Sequence, residues 1–210
     1  MGIEVLHSQQ GYYISQSKYI QDLLVRSGLT DNKIAATPMD LHLQLRPNDG
    51  TPPQDPARYR HIVGSLVYLT VTRPDIAHAV HILSQFVSAP TSVHFGHLLR
   101  VLRYLRGTSS QCIFCARDNS LQLHAHSDST WASDPTDRRS VSGYCILLGS
   151  SPLAWKSKKQ TAVSRSSTEA ELRALATTTA EIVWLRWLLT DFGVSCDTPT
   201  PLLCDNTGAI

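Results

Sequence analysis

Residues 164–175 read SRSSTEAELRAL and open the longest helical pattern of the chain, which runs from about residue 165 to residue 192 and stops at Gly193. The apolar run 201–205 follows it and predicts a strand. Before the helix, alternation of apolar and polar residues predicts strands at 111–117, 121–127, 142–148 and 152–158. The helix therefore connects strands of one sheet, by a crossover that is nearly always right-handed. The second half of the chain is predicted to be a mixed β-sheet with a flanking helix, an α/β arrangement.

The first half of the chain is predicted to be mainly helical. A β-hairpin over residues 3–15 is followed by a helix at 17–27 that ends at Gly28. Residues 29–57 hold five prolines among polar residues and predict a connector lying extended over a surface. Three further helices are expected at 58–72, 74–88 and 92–106, the second of them opening on a proline.

Composition excludes several classes of protein. Nineteen basic and seventeen acidic residues leave a net charge of only +2, so a general polycation is excluded. The five cysteines have no regular spacing, and we interpret them as reduced thiols in an intracellular compartment, the cytoplasm or the nucleus, rather than in a secreted protein. No apolar run approaches the 18–20 residues of a membrane span, so no membrane partner is expected.

Three carboxylates have the placement of a metal-dependent nuclease site. Asp128 follows the strand at 121–127, Glu171 lies in the first turns of the long helix, and Asp205 ends the last apolar run. Two strand ends and one helix start can converge on a point, and Mg²⁺ prefers carboxylate and phosphate oxygens. Two such ions about 3.5–4 Å apart clamp the attacking and leaving oxygens of a phosphodiester.

Each carboxylate also has a structural alternative. For the two aspartates it is a turn residue. For Glu171 it is a capping box with Thr168, in which the carboxylate folds back onto the helix N-terminus. If the helix begins near Arg165 instead, Glu171 lies inside it and can face Asp128. Glu169 is the alternative metal ligand, but residues i and i+2 lie on different helix faces, so only one of the two glutamates can serve.

Two basic groups are candidates for nucleic-acid binding: Arg100, Arg103 and Arg106, and Lys156, Lys158 and Lys159. The arginines fall at i, i+3 and i+6, within an arc of about 120° on one helix face. They form either an ordinary solvated face or a stripe that follows phosphates in a salt-sensitive way. Alternation along the strand points the first two lysines to one face.

Six runs of sequence carry a family resemblance: GIEV (2–5), YRHIVGSLVYL (59–69), TRPDI (72–76), DRRSVSGY (137–144), WKSKKQ (155–160) and SRSSTEAE (164–171). Through them the chain resembles the Pol polyprotein of copia-type retrotransposons over essentially its full length. The resemblance implies that residues 1–110 are the C-terminal, thumb and connection region of a reverse transcriptase. It implies that residues 111–210 are a ribonuclease H-like domain, truncated at its C-terminus.

By the same resemblance, Asp128, Glu171 and Asp205 take the first three metal-binding positions of ribonuclease H. The family activities are RNA-directed DNA synthesis and two-metal hydrolysis of the RNA strand of RNA–DNA hybrids, with Mg²⁺ or Mn²⁺ as cofactor. The polymerase motif Tyr-x-Asp-Asp is absent from the chain, and the fourth acidic position is expected beyond Ile210. Thr130 stands where many relatives carry a second Asp.

Two functions follow as hypotheses. The first is a Pol polyprotein fragment with a weak or inactive nuclease centre, partnered by RNA–DNA hybrid and by the rest of the polyprotein. The alternative is a vestigial, non-catalytic nucleic-acid-binding protein. Cleavage of a hybrid in the presence of Mg²⁺ separates them.

Overall fold

The computed structural model describes residues 2–41 and 43–210, which form a mixed α/β protein, as the sequence predicts. The chain divides into two compact units. One contains the chain up to Ser8 and Tyr12–Ile113, and the other contains Gln9–Gly11 and Phe114–Ile210. None of the helices in the described residues combines the length and the apolarity that crossing a bilayer requires.

The first unit begins with the predicted hairpin and continues as helices. Its elements are β1 (Glu4–Ser8), β2 (Gly11–Ser15), α1 (Ser17–Arg26), α2 (Pro56–Leu69), a 3-10 turn (Pro74–Ile76), α3 (Ala77–Ser84) and α4 (Ser92–Gly107). The prediction of one continuous helix from 74 to 88 is wrong in detail, because a 3-10 turn precedes an α-helix that stops at Ser84.

Local capping explains where two of these helices begin. Pro56 occupies the first position of α2, where its missing N–H costs nothing, and the Asp55 side chain accepts from the Arg58 amide at 3.0 Å. At α4, Thr91 accepts from the His94 amide while the His94 ring accepts from the Thr91 amide at 3.0 Å. Each cap satisfies amides that have no partner inside the helix.

The core of the first unit is aliphatic. Burial of such side chains is its main stabilising contribution, at roughly 25 cal/mol per Å² of apolar surface. Tyr59 is fully buried, and its hydroxyl donates to the Leu83 carbonyl at 2.8 Å. The helical positions that build this core are Leu66, Leu69, Ile76, Val80, Leu83, Leu98, Val101, Leu102 and Leu105.

The second unit contains a four-stranded sheet with one long helix on it. The elements in chain order are β3 (Ile113–Ala116), β4 (Leu123–Thr130), β5 (Val141–Leu148), β6 (Ser151–Lys159), α5 (Ser167–Asp191) and β7 (Leu202–Leu203). The sheet has the order β6-β5-β4-β7, with β5 antiparallel to both neighbours. β7 is parallel to β4, as the predicted crossover requires.

The apolar face of α5 packs against β4 and β5. Ile182 and Leu185 of the helix and Leu123, Ala125 and Ile146 of the strands form the buried cluster. The strand–helix–strand connection sets β7 beside β4, with Ala125 opposite Leu202. The start of α5 and the end of β7 are thereby brought toward the second half of β4.

Candidate functional site

Asp128 lies inside β4, five residues after the strand begins at Leu123 and two residues before it ends at Thr130. The expectation that it follows the strand is wrong, because the antiparallel ladder with β5 continues past it, with Asp128 opposite Gly143. Burial alternates here, so that Ser127 and Ser129 are buried while Asp128 is exposed. The Asp128 carboxylate is therefore held on a strand yet open to solvent.

The start of α5 decides between the two glutamates. Ser166 is the N-cap, and its hydroxyl accepts from the Glu169 amide at 3.1 Å. The Glu169 carboxylate accepts from the Arg165 amide at 2.8 Å and pairs with Arg173 at 2.9 Å. The predicted capping box of Thr168 with Glu171 is therefore wrong. Ser166 is the N-cap instead, and Glu169 is the glutamate that folds back onto the helix N-terminus.

Glu171 lies in the interior of α5 and is only 4% exposed. One carboxylate oxygen, Oε1, accepts from the Ser129 amide at 3.0 Å, and the other, Oε2, accepts from the Cys204 thiol at 3.7 Å. Burial raises the pKa of this carboxyl, and the negative charges of Asp128 and Asp205 raise it further, against the opposing effect of the two hydrogen bonds.

Asp205 follows β7 and completes a cluster with two neighbours. The donor atoms of Glu171, Cys204 and Asp205 all lie within 4.8 Å of one another. In the parallel pair of β4 and β7, His126 lies opposite Leu203. Asp128 comes two residues after His126, and Asp205 comes two residues after Leu203. Three elements thus bring acidic groups toward the same end of β4.

Cys204 was not among the candidates from sequence. Its position directly before Asp205, at the end of an apolar run, is the only signal that the sequence offered. Its thiol reaches Glu171 because β7 ends beside the helix start, a placement that depends on the crossover and not on local sequence.

The donor set fits a hard divalent cation. Glu171 and Asp205 supply carboxylate oxygens, and the charge of Asp128 is close enough to act on Glu171. Mg²⁺ and Mn²⁺ take such oxygen ligands, whereas thiols select softer metals, so Cys204 fits better as a hydrogen-bond donor to Glu171 than as a ligand of Mg²⁺. A cation here would relieve the repulsion that raises the Glu171 pKa.

The three lysines of β6 differ in their surroundings. Lys156 and Lys158 are both exposed, in agreement with the predicted alternation. Lys159 is turned to other partners and pairs with Asp134 at 2.6 Å and with Asp137 at 2.8 Å. The first two are available to a polyanion, while the third holds the loop before β5.

The arginines of α4 contact the connector that precedes α2. Arg100 pairs with Asp40 at 2.8 Å, and Arg103 pairs with Asp31 at 2.6 Å. Arg106 donates to the Asp31 backbone carbonyl. This gives the stripe a structural role that the sequence did not reveal, and contact with phosphate stays a prediction for these three side chains.

A groove in the first unit, missed from sequence, offers a different basic surface. It has a volume of about 730 Å³, and its lining includes Tyr19, Arg26, Arg60, His61 and Gly64. Among the described residues, the side chains of Arg60 and His61 have no hydrogen-bond or ion-pair partner. A Cβ at Gly64 would meet no atom within 4 Å, so a ligand could approach this backbone closely.

Known proteins similar to this chain include polyproteins from transposons. The retrovirus-related Pol polyprotein from transposon RE2 of Arabidopsis thaliana is 47% identical over 100% of the chain and 14% of its own length. The corresponding polyprotein from transposon TNT 1-94 of Nicotiana tabacum is 36% identical over 94% of the chain and 15% of its own length. The uncharacterized mitochondrial protein AtMg00810 of Arabidopsis thaliana is 42% identical over 88% of the chain and 76% of its own length.

These similarities define the class. The chain belongs to the family of retrovirus-related Pol polyproteins from copia-type transposons, as its motifs predicted. It spans about 14% of the length of the RE2 polyprotein. No protein-family model matches it, and no solved structure is significantly similar to it.

Proposed function

We propose that the second unit is a ribonuclease H-like domain whose cation-dependent centre cleaves the RNA strand of RNA–DNA hybrids, with Asp128, Glu171 and Asp205 as the cation ligands. The observation that carries the proposal is the buried Glu171 carboxylate, within 4.8 Å of Asp205 and hydrogen-bonded to the amide beside Asp128. In this proposal the first unit is the C-terminal region of a reverse transcriptase.

The electrostatic surroundings of Glu171 support a functional role for its carboxylate. A carboxylate that is buried beside two other acids destabilises the folded state, and a purely structural position would favour a neutral residue there. Acids whose pKa is shifted by burial and by neighbouring charges are common at functional sites. The site is also built on a strand and a helix, whose positions are more rigid than those of loops.

Each residue has a distinct part in the proposed reaction. Glu171 would hold a cation from the buried side, oriented by the Ser129 amide. Asp205 would hold it from the end of β7, and Asp128, which is exposed, would hold it from the solvent side. A bound Mg²⁺ or Mn²⁺ would stabilise the charge that develops on the phosphodiester oxygens during hydrolysis.

Recognition of the hybrid would use backbone contacts. Lys156 and Lys158 are exposed on β6 and suit phosphate groups. Hybrid duplexes are recognised by shape and by 2′-hydroxyls rather than by sequence. In the first unit, Arg60 and His61 of the groove are better placed for phosphate than the arginines of α4, because these two side chains have no protein partners among the described residues. The rest of a Pol polyprotein is the natural protein partner in this proposal.

We expect slow cleavage. Two clamping ions need more protein ligands than the three carboxylates assigned here, so the stabilisation of both attacking and leaving oxygens would be incomplete. Cleavage of a labelled RNA–DNA hybrid with Mg²⁺ or Mn²⁺ tests the proposal, with Asp128→Asn and Glu171→Gln as inactive variants. Glu169→Gln is the matched control, because that carboxylate is engaged with Arg165 and Arg173.

The outcomes separate the two candidate functions. Cleavage that Asp128→Asn and Glu171→Gln abolish, and that Glu169→Gln retains, supports the nuclease. Salt-sensitive binding of the hybrid with no cleavage, in the wild type as in the variants, favours a non-catalytic nucleic-acid-binding protein instead. Cleavage that survives both substitutions contradicts the assigned ligands.

A further inference from the structure

The side-chain amide of Gln160 connects three elements around the candidate site. Its Nε2 donates to the Ser142 hydroxyl of β5 at 2.9 Å and to the Ala170 carbonyl of α5 at 2.9 Å. It also lies 3.3 Å from the Ser129 hydroxyl of β4. On the acceptor side, Oε1 takes a hydrogen bond from the Ser164 hydroxyl at 2.9 Å. One side chain therefore joins two strands, the helix and the segment before the helix.

The residues that Gln160 holds are the sequence neighbours of the candidate ligands. Ser129 follows Asp128, and Ala170 precedes Glu171. Ser129 also donates its amide to Glu171. Because Gln160 contacts both neighbours, it restrains the distance between the strand and the start of the helix.

We propose that Gln160 is a positioning residue. It sets the Glu171 carboxylate against β4, the strand of Asp128, so that the Glu171 and Asp128 carboxylates can share a cation. The inference rests on the proposed function for the cation, and on the hydrogen bonds for the placement. Gln160 ends the run WKSKKQ, which otherwise supplies only lysines to the proposal.

The chemistry of an amide suits this position. Two N–H donors face two hydroxyls and a carbonyl, while the oxygen faces a hydroxyl donor. A methionine of similar length removes both capabilities. An asparagine keeps the amide but is one methylene too short to reach all partners. A rigid set of hydrogen bonds of this kind orients ligands, and losing one costs roughly 10- to 100-fold in metal affinity.

The test compares Gln160→Met and Gln160→Asn with the wild type in the full 210-residue chain. Gln122→Met is the matched control on the surface of the same unit, and Ile182→Val weakens the core under α5 without touching the hydrogen bonds. Two quantities are measured: hydrogen exchange of the Ser129 amide in the metal-free chain, and the affinity for Mn²⁺ alone by electron paramagnetic resonance.

We expect the Ser129 amide to exchange about tenfold faster in both Gln160 variants, and the Mn²⁺ affinity to fall by at least roughly 10-fold. Gln122→Met changes neither quantity, and Ile182→Val lowers the melting temperature while leaving the affinity intact. Unchanged exchange at Ser129 overturns the inference. So does an equal loss of affinity in Ile182→Val, because the effect is then one of general stability.

Failure of the proposed function is distinguishable from failure of this inference. If the wild-type chain binds no Mn²⁺, the cation-dependent centre is refuted. The exchange of the Ser129 amide in the metal-free chain then still decides whether Gln160 holds Glu171 against β4.

Discussion

The Glu171 carboxylate accepts a hydrogen bond from the Ser129 amide at 3.0 Å, although 42 positions separate the two residues in the chain. Ser129 belongs to β4 and Glu171 to α5, so this bond fixes the start of the helix beside the strand that carries Asp128. The same hydrogen bond gives the buried carboxylate a partner in place of the water that it loses on folding.

The buried carboxylate of Glu171 should lower the free energy of unfolding at neutral pH. Its pKa is raised by burial and by the charges of Asp128 and Asp205, so protonation favours the folded state. The stabilisation that this proton provides is complete below the pKa of Glu171 in the unfolded chain. It is lost as the pH rises through the pKa of Glu171 in the folded protein. We therefore expect Glu171→Gln to raise the melting temperature at pH 7, by an amount that shrinks as the pH is lowered toward 4. Thermal melts across this range check it.

Glu169→Gln is the control for that experiment, since Glu169 is held by Arg165 and Arg173. The hydrogen bond from the Arg165 amide, and then that from the Arg173 side chain, lower the pKa of Glu169, so its ionised form stabilises the fold and its substitution should lower the melting temperature slightly. A Glu171→Gln variant that melts below the wild type at pH 7 contradicts the electrostatic account.

Removing the N-cap of α5 should destabilise the second unit. Ser166→Ala deletes the hydroxyl that accepts from the Glu169 amide, and losses of this kind amount to about 1 kcal/mol. Ser167→Ala, one residue on and inside the helix, should be close to neutral. Urea unfolding of both variants measures the difference. Equal effects would mean that the helix begins elsewhere and that the separation of the roles of Glu169 and Glu171 is mistaken.

Binding of hybrid should be electrostatic and carried in part by β6. The affinity for hybrid falls as salt rises, so the slope of log affinity against log salt is negative. In a titration across several salt concentrations, the double variant Lys156→Ala with Lys158→Ala should make this slope shallower by about 2, one unit for each lost phosphate contact. Lys33→Ala, an exposed lysine of the first unit, is the control. A slope identical to that of the wild type would remove β6 from the binding surface.

Acid should weaken the cap of α4. Burial lowers the pKa of His94, whose neutral ring accepts from the Thr91 amide and lies 3.0 Å from the Arg46 carbonyl. A lowered folded pKa means that its contribution is present above the unfolded pKa and is lost as pH falls through the folded value. His94→Gln, which keeps a capping-box residue, should make unfolding less sensitive to pH between about 7 and 5.

His61→Gln serves as the comparison, because His61 is exposed in the same unit. Guanidinium midpoints at pH 7 and pH 5 give the pH sensitivity of each variant. If His94→Gln and the wild type lose the same stability on acidification, another group is responsible for the acid effect.

Local sequence patterns were sufficient to predict most of the secondary structure. The period of the apolar residues located the five α-helices and seven strands of the described chain within a few residues, since burial of one face dictates that period. Errors arose where two local signals compete. Thr168 with Glu171 matches a capping box, but Ser166 with Glu169 matches one as well, and packing of α5 on the sheet selects the earlier start.

Contacts between distant segments were beyond the reach of sequence. Arg103 and Asp31 are 72 positions apart, so nothing in the arginine spacing shows that the stripe holds the connector. The same holds for Cys204, whose thiol meets Glu171 only because β7 runs parallel to β4.

The sequence by itself determined the elements, the crossover and the family, because these follow from periodicity, capping residues and motifs that are local in the chain. Only the tertiary structure decided which groups meet. It placed Glu171 in a buried position against Ser129, brought Asp205 and Cys204 to it, and engaged Lys159 and the arginines of α4 with acidic partners. The physical reason is that hydrogen bonds and charge interactions act over a few ångströms in space, and the packing of α5 on the sheet sets those distances.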